Sequence, residues 1–240
     1  MSRKSILHLS SGGVNSPRSL REQVLDALRS ALIATELEPG TVYSVPALAA
    51  EFGVSPTPVR EAMLDLVQQG MVEPVRNKGF RVTELSDREL DELTEIRALI
   101  EPPAIARITR EVERARVEAL YPDAQRIIVA AEANDLIAFV AADLSFHLGL
   151  LSLLGNRTLV DVVRDLKMRS RLYDLPEMAA RGEVGECAEG HITLLDKICS
   201  GDADAAESEM LRHLAQVRGV WAGRSSRAAL DRLDASRSLS

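Results

Sequence analysis

The chain has 240 residues, 46% of them hydrophobic and only 3% aromatic, with a formal net charge of −7. That length allows two domains with real cores, and the wealth of Leu, Ala, Glu and Arg favours helix. No apolar run reaches the roughly 18 residues that a membrane span needs, the Ser-rich opening to Pro17 lacks a secretory signal's apolar stretch, and Cys187 and Cys199 have no CxxC spacing, so a cytoplasmic chain with reduced thiols is expected.

Charge is unevenly spread. Residues 1–85 hold 9 Lys+Arg and 9 Asp+Glu, whereas residues 86–240 hold 20 and 27. The acidity belongs to the second part, and a neutral first part can still bind DNA if its cations share one face. The expected organisation is a flexible N-terminus (1–15), a DNA-binding domain (16–85), a helical domain (86–224) and a loose or weakly helical tail (225–240).

In chain order, Leu20, Val24, Leu28 and Leu32 recur at helical spacing, and Pro39-Gly40 ends that segment. Ser44 is placed to cap a short helix, VPALAAEF, stopped by Gly53. Ser55 is placed to cap a second, PTPVREAMLDLVQQ, with Pro56 at its first position and Gly70 past its end. Two helices joined through Gly53-Val54 read as a helix-turn-helix. Val59, Ala62, Met63, Leu66 and Val67 form the inner face of the second helix. Thr57, Arg60 and Glu61 lie elsewhere, near the end where a recognition helix meets bases and phosphates. Two short extended runs then flank Asn77-Lys78-Gly79, a tight-turn signal. This is a β-wing, with Arg76, Lys78 and Arg81 ready for phosphates and Gly79 at a tip that can approach a groove.

Here a resemblance becomes specific. The stretch LAAEFGVSPTPVREAMLDLVQQGMVEPVRNKGFRV resembles the DNA-binding domain of the GntR family of bacterial transcription regulators. The resemblance implies DNA contact by Ser55, Thr57, Arg60 and Gly79. Pro46 and Pro56 stand where the family commonly carries arginines, so its usual operator sequence is not carried over.

Six helical stretches follow, at about 86–108, 111–133, 135–154, 157–175, 184–199 and 202–222, with short breaks and no strand pattern. A mainly α protein results, a winged helix-turn-helix followed by an all-α helical bundle. Three inner stripes contain residues that do not belong in an apolar core. In the third stretch, Asp143 and His147 fill slots between Phe139 and Leu150; in the fifth, His191 lies between Ala188 and Leu194; in the sixth, His213 lies between Met210 and Val217. Burying four such groups costs several kcal/mol unless something pairs them. A divalent metal ion is the simplest common partner. An N₃O set suits zinc first, with nickel, manganese or iron as alternatives, and leaves positions open for a ligand. Cys187, one turn from His191, reads as a small buried hydrophobe. In the first stretch Arg97 faces inward beside Ile100 and needs an anion, either Glu101 one turn on or a bound carboxylate. Arg169 is a second candidate for that carboxylate, and Pro102-Pro103 should kink or interrupt the helix.

This half resembles the FCD effector domain found behind GntR-type DNA-binding domains, in its shorter, six-helix, VanR-like layout. EIRALIEPPAIA, DLSFHLGLLSLLGN, GHITLLDKI and MLRHL carry the likeness. It implies metal ligation by Asp143, His147, His191 and His213, effector binding by Arg97, a small organic acid as effector, a homodimer, and repression of metabolic operons. The competing class is a metal-dependent enzyme in which the N₃O site activates water. No general base is obvious beside the histidines, and a DNA-binding domain has little use on a metabolic enzyme. A third reading makes the metal a structural staple and DNA binding constitutive.

Overall fold

The computed structural model describes residues 19–33, 35–170, 179 and 181–221, the last three of these without side chains. The expected N-terminal segment, the tail and the 171–175 end of the fourth stretch lie outside the described residues. The chain divides into two compact units, Met1–Glu84 and Leu85–Ser240.

The first unit follows the order α1 (Leu20–Ile33), β1 (Val42–Tyr43), α2 (Val45–Phe52), α3 (Pro56–Gln68), β2 (Val72–Val75) and β3 (Gly79–Val82). Helix α1 buries Val24, Leu28, Ala31, Leu32 and Ile33, and packs on α3, which buries Val59, Ala62, Met63 and Leu66. A chelated pair adds to this contact: Arg21 donates from Nε and Nη2 to Asp65 at 3.0 and 2.6 Å. The Ser44 hydroxyl accepts from the Ala47 amide and starts α2. Gly53, at φ 67°, ends α2 by donating to Ala49 and Ala50 carbonyls, a left-handed cap that suits glycine. Ser55 stands at the start of α3 in extended backbone, without the side-chain cap hydrogen bond expected of it.

The wing is a three-stranded antiparallel sheet of order β1-β3-β2. The sequence pattern shows β2 and β3 but not β1, whose two residues are too few to display an alternation. Pro74, which cannot donate to a ladder, sits on edge strand β2. Gly79 opens β3 directly after the hairpin turn of residues 76–78. It pairs with Val75 and carries φ 134°, and a Cβ there would meet the Tyr43 carbonyl oxygen at 2.1 Å. The glycine is required by the closeness of β1.

The second unit contains α4 (Asp87–Glu111), α5 (Arg114–Glu118), α6 (Tyr121–Glu132), α7 (Leu136–Ser152), α8 (Arg157–Ser170), α9 (Glu183–Cys199) and α10 (Ala203–Trp221). Among the described residues these are six long helices and one short turn. Ser86 and Glu89 close a capping box at the start of α4. The helix runs unbroken through Pro102 and Pro103, against the expected interruption. The two missing donors face the carbonyls of Ala98 and Leu99, and Leu99 lies exposed, where water can serve instead. The expected 111–133 helix divides into α5 and α6, with Pro122 in the first turn of α6, where its missing N–H has no helical partner to lose. Helix α10 packs along α4, α6 packs on α7, and α9 touches both α6 and α10. Ala104, Leu151 and Val163 join α4, α7 and α8 in one apolar cluster. At the far end of α10, Arg218 donates to Asp91 at 2.7 Å and to the Asp87 carbonyl at 2.8 Å, clasping the first turn of α4.

Candidate functional site

Two separate surfaces carry chemistry. In the first unit, α3 presents Thr57 and Arg60 to solvent beside Ser55, and the hairpin presents Arg76 and Lys78. No carboxylate lies within ion-pair distance of Arg60, Arg76 or Lys78 among the described residues. Arg81 opposes Glu73 across the wing and pairs with it at 2.9 Å. Such an exposed pair contributes about 0–1 kcal/mol, little hindrance to a phosphate. Pro46 and Pro56, both exposed, open α2 and α3.

In the second unit, the sequence stripes converge. Asp143 and His147 come from successive turns of α7, His191 from α9 and His213 from α10. One donor atom of each lies within 4.8 Å of the others, and all three histidines are buried. Phe146, fully buried, stands edge-on to the rings of His147 and His191 and walls the cluster with carbon. Burial pushes His147 and His213 well below the ordinary histidine range, with the nearby Lys167 acting the same way on both. These two rings are therefore neutral and hold a lone pair.

The hydrogen-bond geometry sharpens this. Nδ1 of His191 lies 3.1 Å from the Ala188 carbonyl, which only accepts, so Nδ1 carries a proton. Its Nε2 faces the Asp143 Oδ1 at 3.1 Å and the His147 Nε2 at 3.2 Å. Nδ1 of His213, meanwhile, has no hydrogen-bond partner among the described residues. Three imidazoles and one carboxylate, converging beside the buried Phe146 ring and including an orphaned nitrogen, fit a divalent ion.

The cationic groups were placed less well by sequence. Arg97 is buried and already engaged, Nε donating to Glu101 Oε1 at 2.5 Å. Burial raises the Glu101 carboxyl, but Arg97 and Lys167 outweigh it and hold the group below its ordinary value. Arg169 does not face inward: it is exposed on α8, within electrostatic reach of Glu89 at the start of α4. The inward cation of α8 is Lys167, whose Nζ lies 3.3 Å from Asp143 Oδ2. The signal was available, because Val163, Leu166, Lys167 and Ser170 occupy the i, i+3, i+4, i+7 template. Cys187 is buried among apolar residues of α9.

A winged helix-turn-helix with an exposed recognition helix, joined in one chain to a helical unit with an internal polar cluster, defines a DNA-binding regulator. Residues 20–82 match the bacterial regulatory proteins of the gntR family and residues 92–216 match the FCD domain. The chain belongs to the GntR family of transcription regulators, with an FCD domain behind its DNA-binding domain. It is 27% identical over 205 residues to the "Probable D-xylose utilization operon transcriptional repressor" of Paenarthrobacter nicotinovorans, covering 82% of this chain and 86% of that one. It is 24% identical over 212 residues to the transcriptional repressor RspR of Escherichia coli, covering 85% and 90%. The solved structure of E. coli McbR/YncC superposes with a TM-score of 0.70 at 25% identity, covering 86% of this chain and 99% of that one. Among the described residues no helix is long and apolar enough to cross a membrane.

Proposed function

We propose that this regulator is a dimeric, cytoplasmic repressor whose operator affinity is set by a small carboxylate bound at a metal ion in the helical unit. The observation that carries the reading is the convergence of Asp143, His147, His191 and His213, one donor atom each, within 4.8 Å. Those four residues would hold the ion, zinc in the first instance. The bound ion supplies a Lewis-acid anchor for a carboxylate in its open positions. The chain's own groups exclude water through Phe146, keep His147 and His213 unprotonated by burial, and offer Arg97 as a second anchor. In that role Arg97 must share its guanidinium between Glu101 and the incoming acid. DNA is read by Thr57 and Arg60 from α3, with Ser55, Arg76, Lys78 and Arg81 on phosphates. Control requires only that the acid favour one arrangement of the dimer over another.

The Arg97–Glu101 pair favours a second reading, in which the arginine is satisfied internally and the ion is a structural staple beneath constitutive DNA binding. No catalytic activity is proposed. Native mass spectrometry of the unheated protein separates the cases. A dimer carrying one metal per chain together with the mass of a small acid is the expected result. A metal-bearing dimer that takes up no acid supports the staple, and a dimer that takes up no divalent ion overturns the metal reading while leaving DNA binding intact.

A further inference from the structure

Lys167 is the one buried cation beside the cluster that the reading above leaves without a task. Its side chain is 4% exposed, on the inner face of α8, in a slot where Val163 and Leu166 show that an apolar residue would pack. Keeping an amine there costs several kcal/mol unless it is paired. Its Nζ lies 3.3 Å from Asp143 Oδ2 and within electrostatic reach of Glu101. The two oxygens of Asp143 are thus divided. Oδ2 lies against Lys167, and Oδ1 faces His191 Nε2 at 3.1 Å and His147 Nε2 at 3.5 Å.

We propose that Lys167 is the positioning residue of the metal centre, fixing Asp143 as a one-oxygen ligand by pairing with its other oxygen. This rests on the metal reading of the four-residue cluster. A carboxylate near an ion either gives one oxygen or chelates with both, and chelation takes up a second coordination position. By occupying Oδ2, Lys167 reserves that position for an outside ligand. The role follows from the placement of Nζ against Oδ2. Helix α8 supplies no ligand of its own, yet through Lys167 it sets how many positions the ion keeps open.

Cobalt(II) titration of the full chain, followed by visible absorption, tests this, because the band intensity reports coordination number. Lys167→Met should weaken Co(II) binding roughly 10- to 100-fold, as loss of an outer-shell partner does, and should alter the visible band as Asp143 turns both oxygens to the ion. Lys167→Arg, which keeps a donor at Oδ2, should recover most of the affinity and the wild-type band. If the Met variant fails to fold, Lys167→Gln, whose amide stops one bond short of Asp143, carries the same expectation. A folded Met or Gln variant with wild-type affinity and spectrum would overturn the assignment alone. A wild-type chain that takes up no Co(II) would overturn the metal reading and this assignment with it.

Discussion

Each histidine of the cluster stands in an apolar stripe, and its neutrality has a cost that acid reveals. His147 and His213 lie well below the ordinary value of 6.5 because burial disfavours their charged form. As pH falls through that value the unfolded chain takes up protons that the folded chain refuses, so stability drops. Lys167, pushed down chiefly by its burial, contributes with the same sign, whereas Glu101, held below its ordinary 4.5, adds its share only as pH falls below that value. The metal-stripped protein should therefore melt markedly lower at about pH 5.5 than at about pH 7.5. A flat melting profile across that interval would contradict buried neutral imidazoles. Asp143, His147, His191 and His213 were all legible in the sequence, because a polar residue in a helical stripe betrays itself by period alone. Lys167 was legible by the same period and was missed, whereas the Arg97–Glu101 pair was not separable from a bound carboxylate and Arg169 was not separable from an inward cation. A long side chain at a stripe's edge reaches water or core according to neighbours on other helices, which periodicity does not encode.

Elements were legible where local rules suffice. Ser44, Gly53 and the paired prolines of α3 act through their own backbone, and the predicted helices of the first unit follow. Strand β1 was not visible, being two residues held by β3 rather than by its own pattern. The split between α5 and α6 could have been read from Pro122, and the continuity of α4 through two prolines could not, since it depends on packing along the helix. Gly79 gives the sharpest test at this scale. Gly79→Ala would drive a Cβ onto the Tyr43 carbonyl and force an alanine to φ 134°. We expect a loss of at least about 1–3 kcal/mol from the strained backbone, read by urea unfolding, with weakened DNA binding as β1 separates from β3. Unchanged unfolding would mean that the wing does not depend on this contact.

For the whole molecule, the two units should fail independently. Arg60→Ala is expected to abolish operator binding, measured by fluorescence anisotropy, while metal content and dimer mass stay at wild-type values. Residual binding to duplex DNA should show a salt dependence shallower by about one unit if Arg60 also meets a phosphate. Retained operator affinity would defeat the assignment of α3 as the recognition helix. The layout of the cluster carries a further consequence. His147 and His191 are 44 residues apart in the chain, and His213 lies on yet another helix. An ion held by all of them would close long loops between α7, α9 and α10, acting as a reversible cross-link. Its contribution would appear in the rate at which the protein opens: release of the ion would have to precede separation of the three helices. The number of regulator molecules surviving proteolysis in a cell would then follow the supply of metal, independently of any acid the site binds.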